Sequence, residues 1–113
     1  MCAEINRSVY QQTRIAAVLL GLLLGAATSS APAADINKGA QVYSMHCASC
    51  HGPRGVPIMA GSPNFSRSEG MLLPDNALLM SIQRGRNAMP GFFGILKDAE
   101  ILDVIAYIRT LRQ

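Results

Sequence analysis

Apolar side chains recur at helical spacing in the segment 97–112 of the chain. The apolar stripe consists of Ile101, Val104, Ile105, Ile108 and Leu111, three or four residues apart. Acidic residues occupy the first turn of this segment and arginines the last, which is the order that a helix dipole favours. The pattern predicts a C-terminal helix over 97–112.

Two other segments carry helical patterns. The first spans 35–50, with Asp35 as its N-cap and an apolar face that includes Val42 and Tyr43. The second spans 74–84 and ends at Gly85, which we expect to form a left-handed cap. No segment alternates apolar and polar residues with the period of two that a half-buried strand requires. The sequence therefore predicts an all-α domain.

Glycine and proline interrupt the helical patterns between 52 and 70, and a second loop covers 86–94. A structureless stretch as long as 52–70 is unusual in a compact domain unless it wraps something. We therefore expect the loops to enclose a bound group.

The first 34 residues have the composition of an export signal. Arg7 and Arg14 precede an apolar run over 15–27, and small residues follow up to Ala34. The run is shorter than the roughly 20 residues of a spanning helix, although a retained anchor is the alternative interpretation. The two arginines are not adjacent, so no twin-arginine signal is indicated. We predict a signal peptide over 1–34 that is cleaved, export to the periplasm and no stable membrane insertion afterwards.

Cleavage after Ala34 leaves 79 residues, enough for one small domain over 35–113. These residues hold eight Lys and Arg against six Asp and Glu, a net charge of +2. That bias is weak, and no basic run accompanies it, so nucleic acid is not an expected partner. A domain of this size usually needs a disulfide, a metal or a cofactor to complete its core.

The motif Cys47-Ala48-Ser49-Cys50-His51 supplies such a group. Two thiols three residues apart, followed by histidine, form the attachment signature of a c-type haem. On a helical turn both sulfurs face the same way and can add to the two vinyl groups of one porphyrin. His51 then lies beneath the iron as its proximal ligand. We predict one haem c, bound through two thioethers.

Three other interpretations of the cysteine pair are weaker. A structural zinc site requires four ligands, and the sequence has no second pair. A thioredoxin-like pair follows a strand, and no strand pattern precedes Cys47. A disulfide across so short a loop would contribute little. The histidine that follows Cys50 favours haem over all three.

The residues alone do not identify the sixth ligand of the iron. His46 adjoins a cysteine bound to the near face of the haem, so it cannot reach the far face, and Met45 fails for the same reason. Met80 is predicted to lie in a helix among core leucines. Met59, Met71 and Met89 remain, in or beside the two loops.

The segment 35–113 resembles the class I c-type cytochromes, in particular the short bacterial monohaem type. The resemblance implies that the first and last helices cross, while loops and a short middle helix enclose the haem. In that family a glycine and an aromatic lie eight and four residues before the first cysteine, which here are Gly39 and Tyr43. Their partners on the last helix would be Val104 and Tyr107. This crossing would explain a glycine in mid-helix.

The resemblance also implies two further site residues. Pro63 matches a proline whose carbonyl accepts a hydrogen bond from the proximal imidazole, although a plain loop proline is the alternative. Met89, followed by Pro90, matches the axial methionine of the family, despite the short span from His51. Lys97, at the start of the last helix, stands where the family often has a serine or threonine cap, so fraying of the first turn of this helix is expected.

His/Met ligation fills both axial positions and raises the reduction potential, which favours an electron carrier over an enzyme. The resemblance therefore implies a periplasmic one-electron carrier that links a donor to a terminal reductase. The segment 89–93 is similar to the small cytochromes encoded with dihaem nitrite reductases of denitrifying bacteria. This similarity implies nitrite reductase as the partner, or, alternatively, a role in maturing its non-covalent haem. A haem sensor or catalytic haem would require an open axial position. Arg54, Arg84 and Arg86 are candidates for a docking rim, for propionate contacts or for ordinary surface.

Overall fold

The computed structural model describes residues 33–113, so most of the predicted signal peptide lies outside the described residues. Four α-helices span Ile36–His46 (α1), Ala48–His51 (α2), Asp75–Arg84 (α3) and Asp98–Thr110 (α4), and a 3-10 turn spans Phe65–Arg67. Over this range the chain forms isolated bridges but no strand. The predicted all-helical fold is confirmed. No helix within 33–113 combines the length and the apolar character needed to cross a bilayer.

The predicted helix over 35–50 is two helices. As predicted, Asp35 caps α1, because its carboxylate accepts from the N–H groups of Asn37 (3.0 Å) and Lys38 (3.2 Å). At Cys47 the backbone stays in the right-handed helical region but with a widened φ of −117° and a ψ of −36°, and this turn residue separates α1 from α2. Its N–H still donates to the carbonyl of Tyr43 at 2.9 Å. The prediction of one continuous helix was wrong because the apolar pattern continues across a local backbone kink.

The crossing of α1 and α4 forms the centre of the domain. Gly39 lies against the backbone of Asp103 and the side chain of Tyr107. Tyr43 packs on Tyr107 with ring centroids 5.3 Å apart. The buried side chains of this cluster are Val42, Tyr43, Phe65, Val104 and Ile108. The implied contact between the two helices is therefore present, with Asp103 as an additional partner that the sequence did not indicate.

A second apolar cluster joins α3 to α4. Its buried members are Leu78, Ile101 and Ile105. The exposed ion pair between Arg109 and Asp75, at 2.7 Å, links the same two helices. Because an exposed pair of this kind contributes at most about 1 kcal/mol, the apolar cluster dominates the contact.

Two predicted helix ends differ in detail. Gly85 has φ 72° and ψ 169°, so it ends α3 in an extended positive-φ conformation and not in the left-handed helical cap that we expected. Lys97 supplies no side-chain cap to α4, but the Glu100 carboxylate accepts from the Lys97 N–H at 2.8 Å. This bond closes the first turn, where the sequence led us to expect fraying.

Candidate haem-attachment site

The motif cysteines lie on one tight turn. The N–H groups of Cys50 (3.2 Å) and His51 (2.9 Å) both donate to the carbonyl of Cys47. Both cysteines are half-buried, and they form no disulfide with each other. Because the two cysteines are three positions apart on this turn, their side chains leave it on the same side. This is the arrangement that attachment to two vinyl groups of one porphyrin requires.

The loop after the motif folds back onto it. The N–H groups of Ile58 and Met59 donate to the carbonyl of Cys50 at 2.9 and 3.0 Å. Further along, Phe65 donates its N–H to the carbonyl of Gly55 at 2.8 Å. The irregular segment predicted from its glycines and prolines is therefore held against the cysteine turn by backbone hydrogen bonds.

Burial governs the protonation of the first thiol. Desolvation raises the pKa of Cys47 to about 11, and the neighbouring Cys50 adds to the rise. A raised pKa disfavours the thiolate that metal binding or redox exchange uses, so the surroundings of Cys47 do not favour those two interpretations. Among residues 33–113, no cluster of His, Cys, Asp and Glu side chains suits a metal ion, so the zinc interpretation gains no support.

His51 is buried, with 8% of its surface exposed. Its ring stacks on Phe65 with centroids 4.7 Å apart and planes 20° from parallel. Next to it, the hydroxyl of Tyr43 donates to the carbonyl of Gly52 at 2.6 Å. The stacking on Phe65 sets the imidazole against the 3-10 turn, and the Tyr43 bond ties the next residue, Gly52, to the first helix.

The electrostatics of His51 suit an iron ligand. Burial lowers its pKa, which favours the neutral imidazole that metal ligation requires, and the Pro63 carbonyl opposes this shift. Its Nδ1 is buried and has no hydrogen-bond partner of acceptable geometry. An orphaned buried nitrogen is costly, so the protein contacts alone do not satisfy this imidazole. A buried imidazole with a lowered pKa beside two cysteines is suited to ligating haem iron, and the residues present therefore fit the cofactor.

The methionines occupy different environments. Met71 packs against both apolar clusters, and Met59 is tied by its backbone to Cys50. Met45 and Met80 are exposed over 69% and 43% of their surface. The prediction that Met80 lies among core leucines was therefore wrong, because α3 buries only Leu78 completely.

Met89 is half-buried in the loop between α3 and α4. It closes a four-residue turn with Arg86, in which each residue donates its N–H to the carbonyl of the other at 3.0 Å. Asn87 within this turn has a φ of 54°. The backbone turn thus holds Met89 in place, and its side chain belongs to neither of the two buried apolar clusters.

Two aromatic residues of the site were missed from the sequence. Phe65 was given no role from the sequence, yet its ring stacks on that of His51. Phe92 is buried and meets the ring of His46 edge-on, with centroids 6.0 Å apart. The signal was weak, since aromatic residues in glycine-rich loops follow neither the helical nor the strand periodicity. Arg54, Arg84 and Arg86 are all exposed.

Residues 34–108 match the family model described as "Cytochrome C oxidase, cbb3-type, subunit III". The chain is also 37% identical over 96 residues to cytochrome c6 of Thermosynechococcus vestitus, covering 83% of this chain and 85% of that protein. Over 83 residues it is 39% identical to cytochrome c6 of Thermostichus vulcanus, covering 72% and 74% of the two chains. The chain belongs to the class I monohaem c-type cytochromes.

The fold agrees with this membership. The structure of cytochrome c6 from the diatom Phaeodactylum tricornutum superposes with a TM-score of 0.58 at 27% identity, covering 67% of this chain and 92% of that one. Together with the motif Cys47 to His51, the family implies one covalently bound haem c in this cytochrome. Its homologues are electron carriers and not enzymes, as the sequence predicted.

Proposed function

We propose that this cytochrome is an exported, periplasmic one-electron carrier with His51 and Met89 as the axial ligands of its haem iron. The burial of His51, together with the absence of a hydrogen-bond partner for its Nδ1, is the observation that carries the proposal. Haem c supplies reversible one-electron chemistry. Cys47 and Cys50 hold it covalently, so the cofactor is not lost between encounters with partners.

Pro63 is proposed as the partner of the proximal imidazole. Its carbonyl already acts on the pKa of His51, which supports a position close to the ring. With Nε2 directed to the iron, Nδ1–H would donate to this carbonyl and fix the tautomer of the ligand. The orphaned nitrogen would thereby be satisfied.

Met89 is proposed as the distal ligand for two reasons. Its loop is held by the turn with Arg86. Met71, by contrast, is packed into the apolar clusters. A thioether in this position raises the potential and leaves no site for a substrate, which suits a carrier.

The ligand assignment is tested by replacing methionines one at a time. We expect Met89→Ala to remove the far-red sulfur-to-iron charge-transfer band of the ferric protein, to lower its potential and to let cyanide bind. Met59→Ala and Met71→Ala are the matched controls and should keep the band. Loss of the band in either control, with the band kept in Met89→Ala, would assign the ligand elsewhere.

Export is proposed from the composition of residues 1–34, with cleavage after Ala34. Two observations support the boundary: the family match begins at residue 34 and α1 begins at Ile36. Mass spectrometry of protein from a periplasmic fraction should give the mass of 35–113 plus one haem. That haem should survive extraction with acid acetone. Extraction of the haem would overturn covalent attachment, and a chain with residues 1–34 retained would overturn cleavage.

The partner is proposed to be a terminal reductase, with nitrite reductase of denitrification as the specific candidate because of the segment 89–93. The alternative is a role in maturing the non-covalent haem of that enzyme. Deletion of the gene separates the two roles. A carrier predicts a haem-replete reductase whose turnover is restored by the purified reduced cytochrome. A reductase that lacks its non-covalent haem, and is not restored, would favour the maturation role.

A further inference from the structure

The loop that carries Met89 is docked on the end of α3 through its backbone. Phe92 donates its N–H to the carbonyl of Ile82 at 3.1 Å, and Phe93 donates to that of Gln83 at 3.0 Å. Both carbonyls belong to the last turn of α3, where a helix offers no partners of its own. The loop therefore serves as the C-terminal cap of α3, and the position of Met89 depends on this docking.

Gly85 lies at the centre of the docked contact. Its φ of 72° and ψ of 169° fall in a region that is essentially open to glycine alone. A Cβ atom at this position would lie 2.6 Å from both the Gly91 nitrogen and the Met89 carbonyl oxygen. Both atoms are backbone and cannot rotate away. Only a residue without a side chain permits the docked conformation.

We propose that Gly85 is a positioning residue for the thioether of Met89, and that its missing side chain keeps this ligand on the iron. The inference rests on the proposed assignment of Met89 as the distal ligand. A side chain at residue 85 would destabilise the docked loop through its close contacts and its strained dihedral angles. If the loop undocks, the contacts are lost and residue 85 can adopt ordinary dihedral angles. The fraction of molecules with the methionine released would therefore rise. Cyanide binds only that fraction, so its apparent affinity rises by the same factor.

The test compares Gly85→Ala with Gly94→Ala in the ferric holoprotein. Gly94 also has a positive φ, 75°, but a Cβ atom there would meet nothing within 4 Å. We expect Gly85→Ala to bind cyanide about tenfold more tightly or better. Its charge-transfer band should weaken and its potential should fall. Gly94→Ala should stay within about twofold of the wild type in cyanide affinity. Equal behaviour of the two variants would overturn the proposal.

A second pair of variants covers the case in which Gly85→Ala does not fold. Phe93→Pro removes the N–H group that donates to the Gln83 carbonyl, whereas Phe93→Ala keeps it. Because the Phe93 side chain is 81% exposed, its loss in Phe93→Ala removes little packing. Phe93→Pro should raise the affinity for cyanide and Phe93→Ala should not. Equal affinities in this pair would also overturn the proposal.

Met89→Ala distinguishes a failure here from a failure of the ligand assignment. If Met89→Ala keeps the charge-transfer band, Met89 is not the ligand and both proposals fall. If Met89→Ala loses the band while Gly85→Ala matches Gly94→Ala, only the positioning role of Gly85 falls.

Discussion

Gly39 and Asp103 are in backbone contact where the first and last helices cross. A Cβ atom built on Gly39 would overlap the carbonyl group of Asp103. One helical turn before Gly39, the N–H of Asp35 donates to the Asp103 carboxylate at 2.6 Å. Asp103 thus binds α1 twice, through its backbone at the crossing and through its side chain at the start of the helix. The crossing brings Tyr43 and Tyr107 together and so helps to position the residues around the haem.

Gly39→Ala is expected to destabilise the holoprotein by about 1–3 kcal/mol, the usual cost of overpacking a close contact. Helix propensity alone predicts the opposite sign, a gain of about 1 kcal/mol. Denaturant unfolding of the ferric protein measures the difference. The control is Ala40→Gly, its half-buried neighbour, which should cost about 1 kcal/mol by propensity. A stabilised Gly39→Ala would contradict the close approach of the helices.

The cap of α1 predicts a dependence of stability on pH. The amide of Lys38, with its ammonium group and the Asn37 amide, holds the pKa of Asp35 below its usual range, against a smaller opposing effect of desolvation. A lowered folded-state pKa adds stability above the ordinary value of about 3.9, and this stability is lost as the pH falls through the folded value. We expect the difference in Tm between the wild type and Asp35→Asn to shrink as the pH falls from 6 towards 3. Asn also caps helices but does not titrate. A difference that is constant with pH would contradict this role.

The hydroxyl of Tyr43 gives a prediction close to the proximal ligand. Burial raises the pKa of Tyr43 to about 12, so the phenol remains a donor to the Gly52 carbonyl at ordinary pH. Tyr43→Phe removes this donor, while the Gly52 carbonyl still accepts from the Gly55 N–H at 3.1 Å, so the loss should be that of a single hydrogen bond, about 0.5–1.5 kcal/mol in the free energy of unfolding. Tyr107→Phe, which alters the half-buried ring packed against Tyr43, is the control and should cost less. Equal losses would mean that the hydrogen bond adds little.

The helices and the cysteine turn could be predicted because their signals lie in residue types at fixed spacings. Val104 and Ile108 were expected in the core from their position on the apolar stripe, and both are buried. Asp103 could not be predicted in this way, because its contribution to the crossing is a backbone carbonyl that any residue possesses. The kink at Cys47 was missed for a similar reason, since the polar and apolar pattern continues through it.

The loops were predicted only as loops. Their glycines and prolines exclude regular structure but do not specify where the chain returns, so the bonds of Ile58 and Met59 to Cys50 were not foreseen. The platform of Phe65 beneath His51 depends on the same loop path. Met80 was expected in the core but is exposed, because α3 buries only a narrow stripe of its side chains. The roles of Pro63 and Met89 rest on the resemblance and stay predictions until the variants are measured.

The exposed arginines predict how charge affects electron transfer. Arg86 shares a backbone turn with Met89, so its charge should lie near the face through which the haem exchanges electrons. Arg112 is also exposed but lies beyond the end of α4. Arg86→Glu and Arg112→Glu change the net charge by the same amount, and therefore any difference between them reports the position of the charge. Ferricyanide, an anionic oxidant, is a suitable probe with the reduced holoprotein.

At low salt Arg86→Glu should slow oxidation by ferricyanide severalfold and speed oxidation by a cationic cobalt(III) complex, because local charge steers small ions. Arg112→Glu should change both rates less. Raising the ionic strength to about 0.15 M, where the Debye length is about 8 Å, should narrow the difference between the variants. The spectrum of the haem should be the same in both. If the two variants slow ferricyanide equally, only the net charge acts, and Arg86 has no place in a docking rim.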